Sequence, residues 1–382
     1  MLTINLFDTD TISNLYPLTL TRPAGDLRVG ILTIAEKWKL HLSADQIGFT
    51  TQEHLQSKFR PVENTTFNIL GQLLPQAELV EAILNLKEGQ SLVKNSLVLA
   101  FNLNQSENIE FNGEISLIQR PFDIFKLNHQ EILSDFNLIT TDKKSQPLSP
   151  SNRKLGQFPI FIEEGAKAEC ATFNTSDGPI YLGKNTEVME GSLIRGPFAM
   201  CEGAKLKLGT KVYGATTLGP FCNVGGEVNN IVLHGYSNKG HDGFLGNAVL
   251  GEWCNIGADS NCSNLKNTYD EVKVWNYASN RFEKSGQQFC GLIMGDHSKC
   301  GINTMFNTGT VVGVACNLFG AGFPRQFVPD FSWGGASGFV PHQMPAVEKT
   351  ANLVMVRRNK VFDETEKSIL HWIYNNYTPT NS

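Results

Sequence analysis

Residues 182–224 read LGKNTEVMEGSLIRGPFAMCEGAKLKLGTKVYGATTLGPFCNV. An apolar side chain falls on every sixth position: Leu182, Val188, Ile194, Met200, Leu206, Val212, Leu218 and Val224. Neither the period of 2 of a half-buried strand nor the period of about 3.6 of a helix gives that spacing. A fixed longer period marks a solenoid, in which each short unit buries its apolar row only by stacking on the next. Four residues after each apolar member comes a mostly small one: Thr186, Ser192, Phe198, Ala204, Thr210, Thr216, Cys222 and Val228. Small residues suit a chain turning a corner, so the large Phe198 predicts a local bulge. The beat lapses at Asn230, returns at Phe244, Leu250, Ile256 and Cys262, and returns again at Met294, Cys300, Phe306, Val312 and Leu318. Residues 230–243 and 265–291 are therefore expected to leave the solenoid as loops, where binding and catalysis tend to gather.

On either side the pattern changes. Residues 1–150 have no six-residue beat. INLFD (4–8), SLVLAFNL (96–103) and ISLIQ (115–119) read as strands. LRVGILTIAEKWKLHL, QAELVEAILNLKEG and NHQEILSDFNLI read as helix-rich segments. That alternation predicts an α/β domain with a mainly parallel sheet. QPLSPSNRK (146–154) is polar with two Pro and reads as a linker; residues 155–340 hold the solenoid, and 345–377 form a helical tail.

The 382 residues carry a net charge of −5, with 41% hydrophobic and 18% charged residues, as in an ordinary globular protein and not a general nucleic-acid binder. No apolar run is long enough to span a bilayer, and MLTINLFDTD shows no basic-then-apolar leader, which predicts a cytoplasmic protein. Eight Cys occur without a CxxC pair, and five of them (Cys222, Cys254, Cys262, Cys300, Cys316) fall on inward repeat positions. Reduced buried thiols are the expectation, with no metal site among them.

The beat resembles the hexapeptide repeat of left-handed parallel β-helices, in which three hexads make one triangular coil. The segment Pro17–Gly30, PLTLTRPAGDLRVG, resembles the PLT…P signature of sugar-nucleotide transferases, and RPFDIFKLN (120–128) adds to the likeness. That family's signature follows a Gly-rich loop, whereas DTDTISNLY has no Gly. Ala24 stands where its Lys would be, and Asn102 where its metal-binding Asp would be. Arg22, Arg28 and Lys37 are left as candidates to meet a nucleotide phosphate.

The order of a degenerate nucleotidyltransferase-like domain, a β-helix and a helical tail resembles the bifunctional N-acetylglucosamine-1-phosphate uridylyltransferase and glucosamine-1-phosphate N-acetyltransferase family. The resemblance implies acetyl-CoA-dependent N-acetylation of an amino sugar phosphate, glucosamine 1-phosphate first, by a homotrimer. It also implies uridylyl transfer from UTP with Mg2+ if the first domain is active. The family's "H…VNIGAG…NYDG" pattern is matched by His241, CysAsnIleGlyAlaAsp (254–259) and SerAsnLeu (263–265). By that match His241 is the general base, imidazole being the side chain most used to take a proton near neutral pH. Asn255, Asn264 and Glu227 meet the sugar, and the Ala258 N–H faces the thioester carbonyl, where negative charge develops. Arg357, Arg358 and Lys360 face the coenzyme phosphates. Phe244 replaces the family's Tyr and Asn229 a Lys, and Lys273 is the nearest substitute for the Lys after NYDG. Three other readings stand beside this one: a zinc carbonic anhydrase using His234, His241 and His297, a non-catalytic trimeric sugar-nucleotide-binding protein, and acetylation of a nucleotide-linked amino sugar.

Overall fold

The computed structural model describes residues 1–103 and 105–378. Its larger part is a three-sided parallel β-helix. The first face stacks Ile160–Ile162, Ile180–Leu182, Phe198–Met200 and Thr216–Leu218, and continues to Phe327–Val328. The second face runs from Lys167–Ala168 through Asn223–Val224, Asn238–Lys239 and Asn255–Ile256 to Ser332–Gly335. The third begins at Arg153–Leu155 and ends at Met305–Phe306.

Leu182, Met200 and Leu218, eighteen residues apart, lie in register, so one coil is three hexads. Every residue of the beat from Leu182 to Val224 is buried in one continuous core. Phe198 makes no bulge: it is fully buried, on the inner side of its strand.

Residues 230–243 do not leave the prism, contrary to the sequence expectation. Glu227–Gly235 pairs in parallel with Phe244–Glu252, and Asn238–Lys239 lies between two rungs of the second face. Each of the two long strands bends from the third face to the first, at Asn230 and Asn247, which adopt left-handed backbone (φ +52° and +46°). Coil length shortens here, Leu233 following Leu218 by fifteen residues, which hides the beat from a strict six-residue count.

The second interruption does leave the prism. It carries an antiparallel hairpin, Lys273–Asn276 with Arg281–Lys284, and the chain returns so that Ile293 and Met294 align with Val249 and Leu250. The prism also starts earlier than expected, at Arg153, inside the stretch read as a linker.

The N-terminal domain has a six-stranded mixed sheet. Thr3–Phe7 lies between Gln46–Thr50 and Phe67–Leu70, all parallel; then follow Leu97–Asn102, antiparallel, Gln90–Lys94, and Glu107–Glu110 at the edge. Three helices accompany it: α1 (Ile34–His41), α2 (Ala77–Leu84) and α3 (Pro121–Thr140). Thr33 and Glu36 close a capping box at the start of α1, each side chain accepting the other's N–H, which sets where the helix begins.

This domain roofs the first face. Outward-facing Val232, Val249, Ile293 and Val311 join Ile4, Leu6, Phe122 and Phe125 in a single core, and α3 lies across the strands from Thr216 to Glu252. The hairpin staples the roof from the side: Val272 and Val274 enter the same core, and Arg120 meets Glu283 at 2.7 Å. At the edge between the first and second faces, Phe221, Tyr236, Trp253 and His297 stack as a column of rings in left-handed backbone. The tail, α4 (Met344–Val356) and α5 (Glu364–Tyr377), packs Met344, Val347, Ile369 and Ile373 with Trp253, Phe331, Tyr16 and Leu20, touching both domains. None of the described helices is long and apolar enough to cross a membrane.

Candidate active site on a prism edge

His241 stands on the edge between the second and third faces, opposite the roofed face. The chain reaches it from Lys239, turns through Gly240–Gly243, and enters the third face at Phe244. Two glycines in the coil below make room. A Cβ on Gly225 would come within 2.7 Å of the Gly240 carbonyl oxygen. One on Gly226 would come within 2.8 Å of the His241 carbonyl oxygen, and its φ of +71° already favours glycine.

The imidazole of His241 is exposed and has no hydrogen-bond partner among the described residues. Glu227 is its neighbour on the coil below, its N–H donating to the Gly243 carbonyl at 3.1 Å and its carboxylate 3.9 Å from Lys211. On the coil above, the Asp259 N–H donates to the Asp242 carbonyl at 3.0 Å, and the Ala258 carbonyl accepts from Asn303 at 2.8 Å. The Ala258 N–H finds no acceptor among the described residues. Three of the expected site residues, Glu227, His241 and Ala258, thus share one edge over three successive coils. Sequence reasoning missed three more on this edge: Lys239, Asp242 and Asp259. Lys239 follows Val224 by fifteen residues, off the six-residue count, so the sequence carried no signal for it.

The other expected residues lie elsewhere. Asn255 is exposed on the second face, in register with Asn238 and Lys299. Arg358 reaches the same face, its Nη2 3.4 Å from the Asn238 amide oxygen, while Arg357 is exposed at the end of α4. Lys360 lies over the Tyr236 ring. Asn264 is at the far end of the third face from His241. Its amide donates to Asn247 at 2.8 Å; Asn247 in turn donates to Asn230, whose amide serves the Ala215 and Phe125 carbonyls. This is a stacked asparagine ladder that satisfies the corner backbone.

The three basic residues of the first half are buried in ion pairs. Lys37 is 1% exposed, its Nζ 2.5 Å from Asp135 and 2.8 Å from Glu131, and has no open side for a phosphate. Arg22 joins the two domains, with Asp296 at 2.5 Å and both Glu252 and Asp26 at 3.3 Å; Thr21 adds a bond to Asp296. Burial alone would raise Glu252, yet the Arg22 and Lys58 charges hold it down to about 2, while burial pushes Asp26 up to about 6. Arg28 is bound through Nη1 to the Ile31 carbonyl, and its backbone N–H donates to His234 Nε2 at 3.2 Å. The PLTLTRP segment therefore serves as a clasp between domains. A cleft of about 350 Å3 opens beside it, lined by Arg22, Asp26, Arg28, Glu36, His234 and Glu252.

The three histidines of the zinc reading do not converge. His234 is buried and held neutral by burial, its pKa down to about 3; His297 belongs to the ring column; His241 is on the opposite edge. No group of three or more His, Cys, Asp or Glu among the described residues is arranged to hold a metal. The inward Cys222, Cys254, Cys262, Cys300 and Cys316 are free and buried.

Residues 4–144, just over a third of the chain, match the model of a family described as sugar nucleotidyl transferase. Two solved structures are among those similar to the chain. One is the polySia specific acetyltransferase NeuO, at 11% identity over 50% of this chain and 87% of that one, with a TM-score of 0.21. The other is a hexapeptide transferase family protein from Anaplasma phagocytophilum, at 15% identity over 55% of this chain and 92% of that one, with a TM-score of 0.19. No curated protein matches.

Proposed function

We propose that this protein is a hexapeptide-type acetyltransferase, carrying acetyl from acetyl-CoA to the amine of an amino sugar phosphate, glucosamine 1-phosphate first among them. The observation that carries the reading is the pairing on one edge of an exposed, unpartnered imidazole with the free Ala258 N–H one coil above. His241 takes a proton from the attacking amine. The amine nitrogen then bonds to the thioester carbon, and the charge on its oxygen is met by the Ala258 N–H, a donor fixed in advance by the coil. As the C–S bond breaks, the imidazolium returns the proton to the coenzyme sulfur. Glu227 is close enough along the edge to orient the acceptor. Arg358 and Lys360 place positive charge on the second face, toward the coenzyme phosphates, with Arg357 beside them.

Copies of the chain are proposed to associate through the uncovered third face and its edge, where Leu193, Leu208, Tyr213, Ile302 and Met305 are exposed. Such packing brings a neighbour beside His241 and is consistent with a trimer. The proposal stops at acetyl transfer. Uridylyl transfer, with its UTP and Mg2+, is not included, because Arg22, Arg28 and Lys37 are engaged within the fold.

The test is CoA release from acetyl-CoA with glucosamine 1-phosphate, comparing the intact chain with His241→Gln. Loss of a general base typically costs about 10²–10⁴ in rate, and that loss is expected here. Equal rates would remove His241 from the chemistry. No release by wild type across a panel of amino sugars and their nucleotide-linked forms would overturn the reading and favour a non-catalytic binding protein.

A further inference from the structure

Along the inner row of the second face run Ala168, Val188, Leu206, Val224, Lys239, Ile256, Cys300 and Leu318. Seven are apolar or thiol-bearing; the other is a lysine. Lys239 shares register with Val224 and is 1% exposed. A buried ammonium is costly unless its donors are used, and they are. Nζ donates to the Gly225 carbonyl at 2.8 Å, on the coil below, and to the carbonyl of His241 at 2.8 Å.

We infer that Lys239 is a positioning residue for His241, tying the carbonyl of the base to the coil beneath from inside the prism. The inference rests on the proposed acetyltransferase reading for its functional meaning, though not for its geometry.

Several features of the turn converge on this. Asp242 and Gly243 are tied to the neighbouring coils through their carbonyls. Gly240 has open space where a side chain would be. The carbonyl of His241 is held by Lys239, so the residue bearing the imidazole is fixed chiefly from within. Charge-assisted bonds of this kind are about twice as strong as neutral ones. Burial lowers the Lys239 pKa to about 8, against the opposing pull of Asp242 and Asp259, the two carboxylates that face it from its own turn and from the coil above. An apolar residue would fill the inner row as Val224 and Ile256 do. What it could not supply is the bond to His241.

The experiment is Lys239→Met in the full chain, read by hydrogen exchange and by acetyl transfer. Exchange of the amides hydrogen-bonded at this turn, Glu227 to the Gly243 carbonyl, Asp259 to the Asp242 carbonyl and Phe244 to Asn261, is expected to rise at least about tenfold, with the remainder of the prism unchanged, as for loss of a charge-assisted bond. The kcat is expected to fall by about the same factor while KM for acetyl-CoA and acceptor holds, because the base is displaced and the binding surfaces are not. Unchanged local exchange would overturn the inference whatever the activity. A local rise in a protein whose wild type transfers no acetyl would uphold the positioning and overturn the acetyltransferase reading. Lys239→Gln, which keeps a donor without the reach, covers the case in which the methionine variant does not fold. The same local rise is expected, and its absence is equally decisive against the inference.

Discussion

Arg22→Leu tests the clasp between the domains. In the wild type one guanidinium serves three carboxylates. Asp296 is 4% exposed, so its charge cannot turn to water when the partner is gone. Asp26 and Glu252 keep roughly a quarter of their side-chain surface in solvent and are discounted accordingly. The cost is therefore worked from Asp296 alone: removing one member of a buried pair is worth about 3–5 kcal/mol. The assay is urea denaturation followed by circular dichroism at pH 7 and again at pH 5. A carboxyl whose folded pKa lies above its unfolded value binds its proton more tightly when folded, so stability falls as pH rises toward that value. Asp26 already titrates near 6, and deleting Arg22 lifts the main lowering influence from Asp26, Glu252 and Asp296 together. The deficit is thus expected to be largest at pH 7 and to narrow at pH 5. Arg22→Leu combined with Asp296→Leu should recover part of it, since the most buried orphan charge is gone while Asp26 and Glu252 still lack their partner. A single mutant within about 1 kcal/mol of wild type at pH 7 would refute the reasoning, because that is the size of an exposed pair.

The remaining expectations are smaller in scope. Asn264→Ala removes one step of the asparagine ladder and leaves Asn247 short of a partner, at about 1–3 kcal/mol; thermal unfolding should register this while KM for the acceptor stays unchanged. Gly226→Ala forces a methyl group against the His241 turn at a positive φ and should cost about 1–3 kcal/mol of strain; CoA release should drop with it, and wild-type turnover in this variant would mean the turn has slack. Lys37→Met strands the buried Asp135, which also accepts the Ile31 and Leu32 N–H groups, at about 3–5 kcal/mol. Titration calorimetry with UTP should show no difference between folded Lys37→Met protein and wild type.

The prism was legible because a residue recurring every six positions is an unusual pattern, and the inner row of a stacked coil has to be apolar. It became illegible where physics permits an exception. Lys239 takes an inner position that would otherwise be apolar, because its ammonium finds two carbonyls at the corner. Before it, the shortened coil around Leu233 had already moved the count, so a stretch that stays on the prism read as a loop. The corner residues gave opposite lessons. Asn264 and His241 match one motif in sequence, but the third face separates them, and only their position on the coils tells a ladder residue from an edge residue. For Arg22, Arg28 and Lys37 the expected phosphate contact did not anticipate burial, because the carboxylates that neutralise them come from residues as distant as Asp135 and Asp296. Long-range pairing of that kind leaves no local trace in the chain.

One property of the second interruption extends beyond this protein's own chemistry. The chain departs after Asn264 and re-enters with Ile293 and Met294 aligned on Val249 and Leu250, as though nothing had intervened. The stack therefore places no demand on the length or shape of what lies between, because closing a longer surface loop costs only a slowly growing entropy. Here the excursion is occupied by a hairpin that holds the roof in place. In general it is a port: a segment of different length or purpose can be fitted there, by evolution or by hand, while the coils on either side keep their register.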